Sequence, residues 1–260
     1  MTEPLSKQEV HSPVCVFKNC PSPQSNSHPF LSALTFPGSG HKKQLPEDVS
    51  DKIRFKCIGC GECCRNVKAS VPVDCQDAFY LTKYLRDTGM DIYCIDQFLE
   101  QYAEPELLDE CGFFVYFLKT VGEDNACIFL KDNRCCVQEA KPLACRLYPF
   151  MVDPNEFGGF RYLYSKERTH HFRGPIVETR NWMKKNFPPE SRAFMQTEYT
   201  HAGPIAMQLM KIPEHRKTEA LLHFHRLRYS ELDLDKPFLE QFQRNQVKLL
   251  AILAIMTEEI

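Results

Sequence analysis

Four cysteines within eight residues, Cys57-Ile-Gly-Cys60-Gly-Glu-Cys63-Cys64, limit what this chain can fold into more than any other feature. Thiols two residues apart are brought within a few ångströms of one another by a short turn, so they converge on one ion or cluster. Gly59 and Gly61 supply the positive φ angles that such a turn needs. A single Zn²⁺ usually takes two cysteines from one loop and two ligands from another. Many cubane clusters are held by three thiolates from one loop and a distant fourth. The loop therefore tilts toward an iron–sulfur cluster, 4Fe-4S by ligand number, with zinc as the alternative.

A second group, Cys127, Cys135, Cys136 and Cys145, follows about seventy residues on. Cys127 and Cys135 flank a turn and can face the first loop together. Alternation along a strand sends Cys135 and Cys136 to opposite faces, so only one of that pair should serve a given site. The expected ligand set is Cys57, Cys60, Cys63, Cys64, Cys127, Cys135 and Cys145. A cubane needs four of these, and Cys57, Cys60, Cys63 and Cys145 come first. Cys136 is read as a neighbour, and Cys15, Cys20, Cys75, Cys94 and Cys111 as lying outside the site.

Thirteen cysteines in 260 residues would suit a disulfide scaffold only in a small secreted domain. This chain is long, and its first thirty residues show no apolar stretch ending in a small-residue cleavage site. No apolar run approaches the roughly 20 residues that span a bilayer. A reducing cytoplasm is the expected setting, and there clustered cysteines mean metal or redox chemistry. The net charge of −2 gives no bulk attraction to nucleic acid or to an anionic membrane.

Residues 1–50 hold seven Pro and eight Ser and read as a disordered tail. Residues 51–175 should form the cysteine-cluster metal-binding domain, and 176–260 a helical C-terminal region. In the middle part, 71–73 reads as a short strand. Asp74 and Asp77 cap a helix over 75–88 that Gly89 ends. A second helix over 94–103 would bury Cys94 beside Phe98 and Tyr102. Strands are expected at 113–119, 127–130, 135–137 and 160–164. Helices are expected at 176–186, 190–210, 214–229 and 236–257, with Pro204 interrupting the second. The fold class is α+β, with short β-hairpins and helices around the metal.

The two cysteine groups carry a family resemblance. Cys57-x-x-Cys60-Gly61-x-Cys63-Cys64 resembles the opening signature of the CxxCxxCC cysteine-cluster family (YkgJ-like; a zinc- or iron-chelating domain). Cys127-Ile-Phe-Leu, then Cys135-Cys-Val137, Lys141-Pro142, Cys145-Arg146, and Tyr148-Pro149-Phe150 resemble its second signature. Gln138 stands where the family often has Tyr, and Lys141 where it has Arg. The family's late Cys-Pro-Gly element is replaced by Thr169-His-His-Phe-Arg-Gly174, so His170 or His171 is a candidate substitute ligand. The resemblance implies metal chelation. A related branch of flagellin lysine N-methylases, which use S-adenosylmethionine and require a cluster, implies a second reading as an enzyme of that kind. No S-adenosylmethionine loop or other nucleotide fingerprint stands out. A protein partner is left open beside the metal or cluster. Arg65, Lys141 and Arg146 lie beside the cysteines as candidate stabilising cations or as solvated charges.

Overall fold

The computed structural model describes residues 47–48, 52–108, 112–155, 157–165 and 168–258. Cys15, Cys20 and Cys111, and most of the expected tail, lie outside them. The described residues form seven α-helices and several short antiparallel strand pairs, an α+β arrangement. None of the helices among them is long and apolar enough to cross a membrane.

Phe114–Leu118 is the strand on which the fold is organised. Its aromatic and β-branched residues suit a pleated strand covered on both faces. It pairs antiparallel with Ala103–Leu107 on one side and Pro72–Val73 on the other. Val115 and Phe117 belong to one apolar core, with Phe224, Leu227, Leu249 and Leu253. Leu118 belongs to another, with Phe79, Leu81, Phe98, Cys127 and Phe129. Side chains two apart in a strand share a face, so this one strand divides two cores.

Helix α1 (Cys75–Asp87) starts at Asp74, whose carboxylate accepts the Asp77 N–H at 2.8 Å. It ends at Thr88 before Gly89, which has φ +88°. Helix α2 (Ile95–Tyr102) starts one residue later than expected, with Cys94 as its N-cap. The Gln97 side chain accepts the N–H groups of Tyr93 and Cys94, and Cys94 is exposed rather than buried. An extended cap residue lies outside the helix, so the i, i+4 pattern did not apply to it. Helix α3 (Leu143–Leu147) is a single short turn that carries Cys145.

A third core gathers Ile53, Phe55, Leu143, Leu147, Phe150 and Tyr164 under helix α4 (Thr179–Asn186). Its sheet pairs Phe150–Pro154 with Phe160–Tyr164, on which Glu47–Asp48 adds a third strand. Residues 176–178 were expected to be helical but pair with Lys52–Arg54 as a strand. Val177 with Ile53 is a β-branched pair, and that favours the ladder.

Helix α5 (Pro189–Lys211) runs through Pro204 without a break. A proline inside a helix costs about 3 kcal/mol. Burial of Ala202, Ile205, Ala206 and Leu209 offsets it. Helix α6 (Lys217–His225) is shorter than expected, because Arg226–Ser230 continues as a π turn. That turn buries Arg228, which donates to Glu198 at 2.8 Å and to Gln246 at 3.0 Å. The rings of Phe113, Phe224 and Phe242 surround its guanidinium. Helix α7 (Phe238–Glu258) closes the second core with Leu249, Leu253 and Met256. A polar chain links the helices to the central sheet. His225 lies 3.1 Å from the Tyr116 hydroxyl and 3.0 Å from the Asp96 carboxylate.

Candidate metal centre

The first cysteine loop runs in irregular backbone and tightens into a 3₁₀ turn at Glu62–Cys64. Gly61 has φ +74°, and a Cβ there would sit 3.1 Å from the Asn133 carbonyl oxygen and 3.3 Å from a Leu130 methyl. Only a glycine lets this loop lie so close to the hairpin of Leu130–Lys131 and Arg134–Cys135. Arg65 fixes the loop's exit. It forms an ion pair with Asp124 and donates to Asn133 at 2.8 Å. The backbone N–H groups of Asn66 and Val67 donate to the carbonyls of Asp124 and Asn125. Arg65 is therefore a structural tether and not a free cation beside the sulfurs.

Cys60 meets two imidazoles. Its Sγ lies 3.2 Å from His171 Nε2 and 3.6 Å from His170 Nε2. These three donors lie within 4.8 Å of one another. His171 is buried, and its Nδ1 lies 3.0 Å from the Tyr148 hydroxyl. Burial and the neighbouring His170 lower its pKa, which holds the ring neutral and able to ligate. The histidines are delivered by the turn Thr169–Arg173. The Lys56 N–H donates to the His171 carbonyl, and the Phe55 N–H to that of Pro175, each at 3.0 Å. A Cβ on Gly174 would fall 2.5 Å from the Lys56 Cβ and 2.8 Å from backbone atoms, so this crossing requires glycine.

The remaining thiols form a second group. The sulfurs of Cys63 and Cys64 are 3.9 Å apart. A hydrogen bond between the two thiols, with Lys141 and Arg168 within electrostatic reach, lowers Cys63 to about 6. Cys64 is raised by the same hydrogen bond, by burial and by the charges of Cys63, Cys145 and Cys127. Burial raises Cys127 to about 11, and the charges of Cys135 and Cys63 add to it. Cys135 and Cys145 are raised for the same reasons. Five sulfurs that feel one another's charge are costly to ionise together without a cation among them. Cys57 is exposed in the same loop, and Cys136 is exposed while Cys135 is half-buried, as alternation requires. Cys75 is fully buried on α1. All ten cysteines among the described residues are free thiols.

Asp77 holds the third piece in place. Its carboxylate accepts the Leu143 N–H at 2.8 Å, at the start of the short helix that carries Cys145. Burial raises the pKa of both Asp74, to about 6, and Asp77, while Arg146 opposes the shift. Asp74 caps α1 as expected. The role of Asp77 toward α3 was invisible in the sequence, since 66 residues separate it from Leu143. Tyr148 and Arg168 were also missed. Tyr148 lies in the Cys145-Arg-Leu-Tyr-Pro149 run but was read only as part of a motif.

The residues present fit a metal: deprotonable thiols and imidazoles converge, and cations offset the thiolate charge. Comparison with known families gives one match. Residues 56–172 fit the model of the CxxCxxCC family, described as "Putative zinc- or iron-chelating domain". The match begins one residue before Cys57 and ends one residue after His171. Among curated proteins and solved structures, none matches this chain.

Proposed function

From the premise that residues 56–172 carry a CxxCxxCC domain, we propose that this metal-chelating protein holds an iron–sulfur cluster, of the 4Fe-4S type, on the thiolate group of Cys63, Cys64, Cys127, Cys135 and Cys145. The observation that supports it is the convergence of loop, hairpin and short helix: the sulfurs of Cys63 and Cys64 lie 3.9 Å apart, Gly61 lies against Asn133 and Leu130, and Cys64, Cys127, Cys135 and Cys145 pack on one core. Four of the five meet the needs of a cubane, whose irons each take one thiolate. When bound, the cluster would supply one-electron redox or structural chemistry. The chain supplies the rest. Lys141 and Arg168 offset thiolate charge near Cys63. Asp77 fixes the helix bearing Cys145, and Gly61 fixes the approach of loop to hairpin. Free thiols of this density belong in reducing surroundings.

Anaerobic reconstitution of the full chain with iron and sulfide tests this. A brown protein, whose visible charge-transfer absorbance disappears in Cys145→Ser, is the expected result. A colourless protein that takes up zinc alone on these thiolates would replace the cluster with zinc.

A further inference from the structure

The two donor groups differ in scale, and that difference carries a further assignment. We propose that Cys60, His170 and His171 form a separate mononuclear site for a divalent ion of the zinc type, with three protein donors. The site stands on its own donors and does not depend on which cofactor the thiolate group holds.

The distances support a single ion. Zinc binds sulfur at about 2.3 Å and imidazole nitrogen at about 2.0–2.1 Å, so a tetrahedral S···N edge is about 3.6 Å. Cys60 Sγ lies 3.2 Å and 3.6 Å from the two imidazole nitrogens. Glu62 Oε2 lies 3.8 Å from His170 Nε2 but is not within 4.8 Å of all three donors, so it stands outside the set. Among the described residues this is the one set of three donors within 4.8 Å of one another. Thiolates of a cubane each bind a different iron, so they stand farther apart than donors that share one ion. The group of Cys63, Cys64, Cys127, Cys135 and Cys145 contains no such set of three.

The chemistry of the donors points the same way. Two imidazoles and one thiolate suit zinc, whereas clusters favour thiolates alone. His171 also has the supporting contact that ligating histidines need. Its Nδ1 is held by the Tyr148 hydroxyl, which leaves Nε2 facing Cys60. The backbone tethers at Lys56 and the tight crossing at Gly174 hold the histidines against the loop without any metal.

The test is metal counting on anaerobically reconstituted full-length protein, supplied with iron, sulfide and then one equivalent of Zn²⁺. Wild type should retain one zinc in addition to its iron. The double variant His170→Ala/His171→Ala should lose that zinc while keeping iron, sulfide and visible absorbance. Cys145→Ser should do the reverse, losing iron and keeping zinc. Tyr148→Phe should weaken zinc binding about 10-fold with the iron unchanged. His170→Ala alone changes a partly exposed side chain, so its loss of zinc reads ligation and not folding. Zinc retained in the double variant, or iron lost from it in step with zinc, overturns the proposal. Iron retained in Cys145→Ser overturns Cys145 as a cluster ligand and leaves the zinc result standing.

Discussion

The cysteine region and the Arg228 region are both rich in polar groups, but they are held in opposite ways. Around Arg228, helices α5, α6 and α7 bury Phe113, Phe224 and Phe242 against the guanidinium. Glu198 and Gln246 supply its hydrogen bonds. Arg228 Nε, Glu198 Oε1 and Gln246 Nε2 are buried without a hydrogen-bond partner, so aromatic packing and these two bonds hold the group. Around Cys60 and Cys63 the strands are two residues long, and the loops rest on positive-φ turns at Gly59, Gly61, Asp132 and Asn133. There the buried sulfurs repel one another's charge. One region folds from its own contacts, while the other is shaped to be completed by a cation.

The largest effect should come from the Arg228 region. Arg228→Ala leaves Glu198 buried without its partner, and removing one member of a buried pair costs about 3–5 kcal/mol. Thermal or denaturant unfolding should show it, with or without metal. Chelation should do the converse. Hydrogen exchange after metal removal should rise across 57–64 and 126–136 and stay low in α5 and α7. Uniform loss of protection would erase the contrast between the regions.

Glycine substitutions probe the loop side next. Gly174→Ala forces a Cβ to within 2.8 Å of backbone at the crossing with Lys56, which cannot give way as a flexible side chain would. The expected result is loss of metal at Cys60, His170 and His171, plus about 1–3 kcal/mol of stability from overpacking. Metal counting and unfolding measure the two separately. Asp77→Ala should cost less, about 1–2 kcal/mol, by leaving the Leu143 N–H unpaired in a buried place. Its signature is a weakened hold on Cys145, seen as faster alkylation of that thiol in the apo protein.

The contrast also explains what could be read in advance. The strand at 160–164, the α1 cap at Asp74 and the role of Gly61 followed from local rules that need only nearby residues. The unbroken helix through Pro204 and the strand at Ile176–Glu178 did not, because burial of Ile205 and pairing with Ile53 decide them over long separations. In the site, cysteine spacing pointed to a metal. The sorting of Cys60 toward histidines 110 residues away was beyond the spacing, since it depends on the crossing at Gly174. His170 and His171 could be singled out only as substitutes within a motif.

The smallest effect is a matter of rate and pH. In the apo protein Cys63 is lowered to about 6, because it shares a hydrogen bond with Cys64 and because Lys141 and Arg168 favour the anion. Cys127, buried and facing other thiols, is raised to about 11. Only the thiolate reacts with iodoacetamide. Site-resolved mass spectrometry should therefore show Cys63 alkylation rising through about pH 6, with Cys127 slow until strongly alkaline pH. Cys64→Ala removes that hydrogen bond and should move the Cys63 midpoint upward toward that of an ordinary thiol. Lys141→Gln should move it less, as the smaller cause. If Cys63 titrates like a free thiol in the wild type, the hydrogen bond between Cys63 and Cys64 is not what prepares this region for a cation. The mutual repulsion of the buried sulfurs would then carry that role alone.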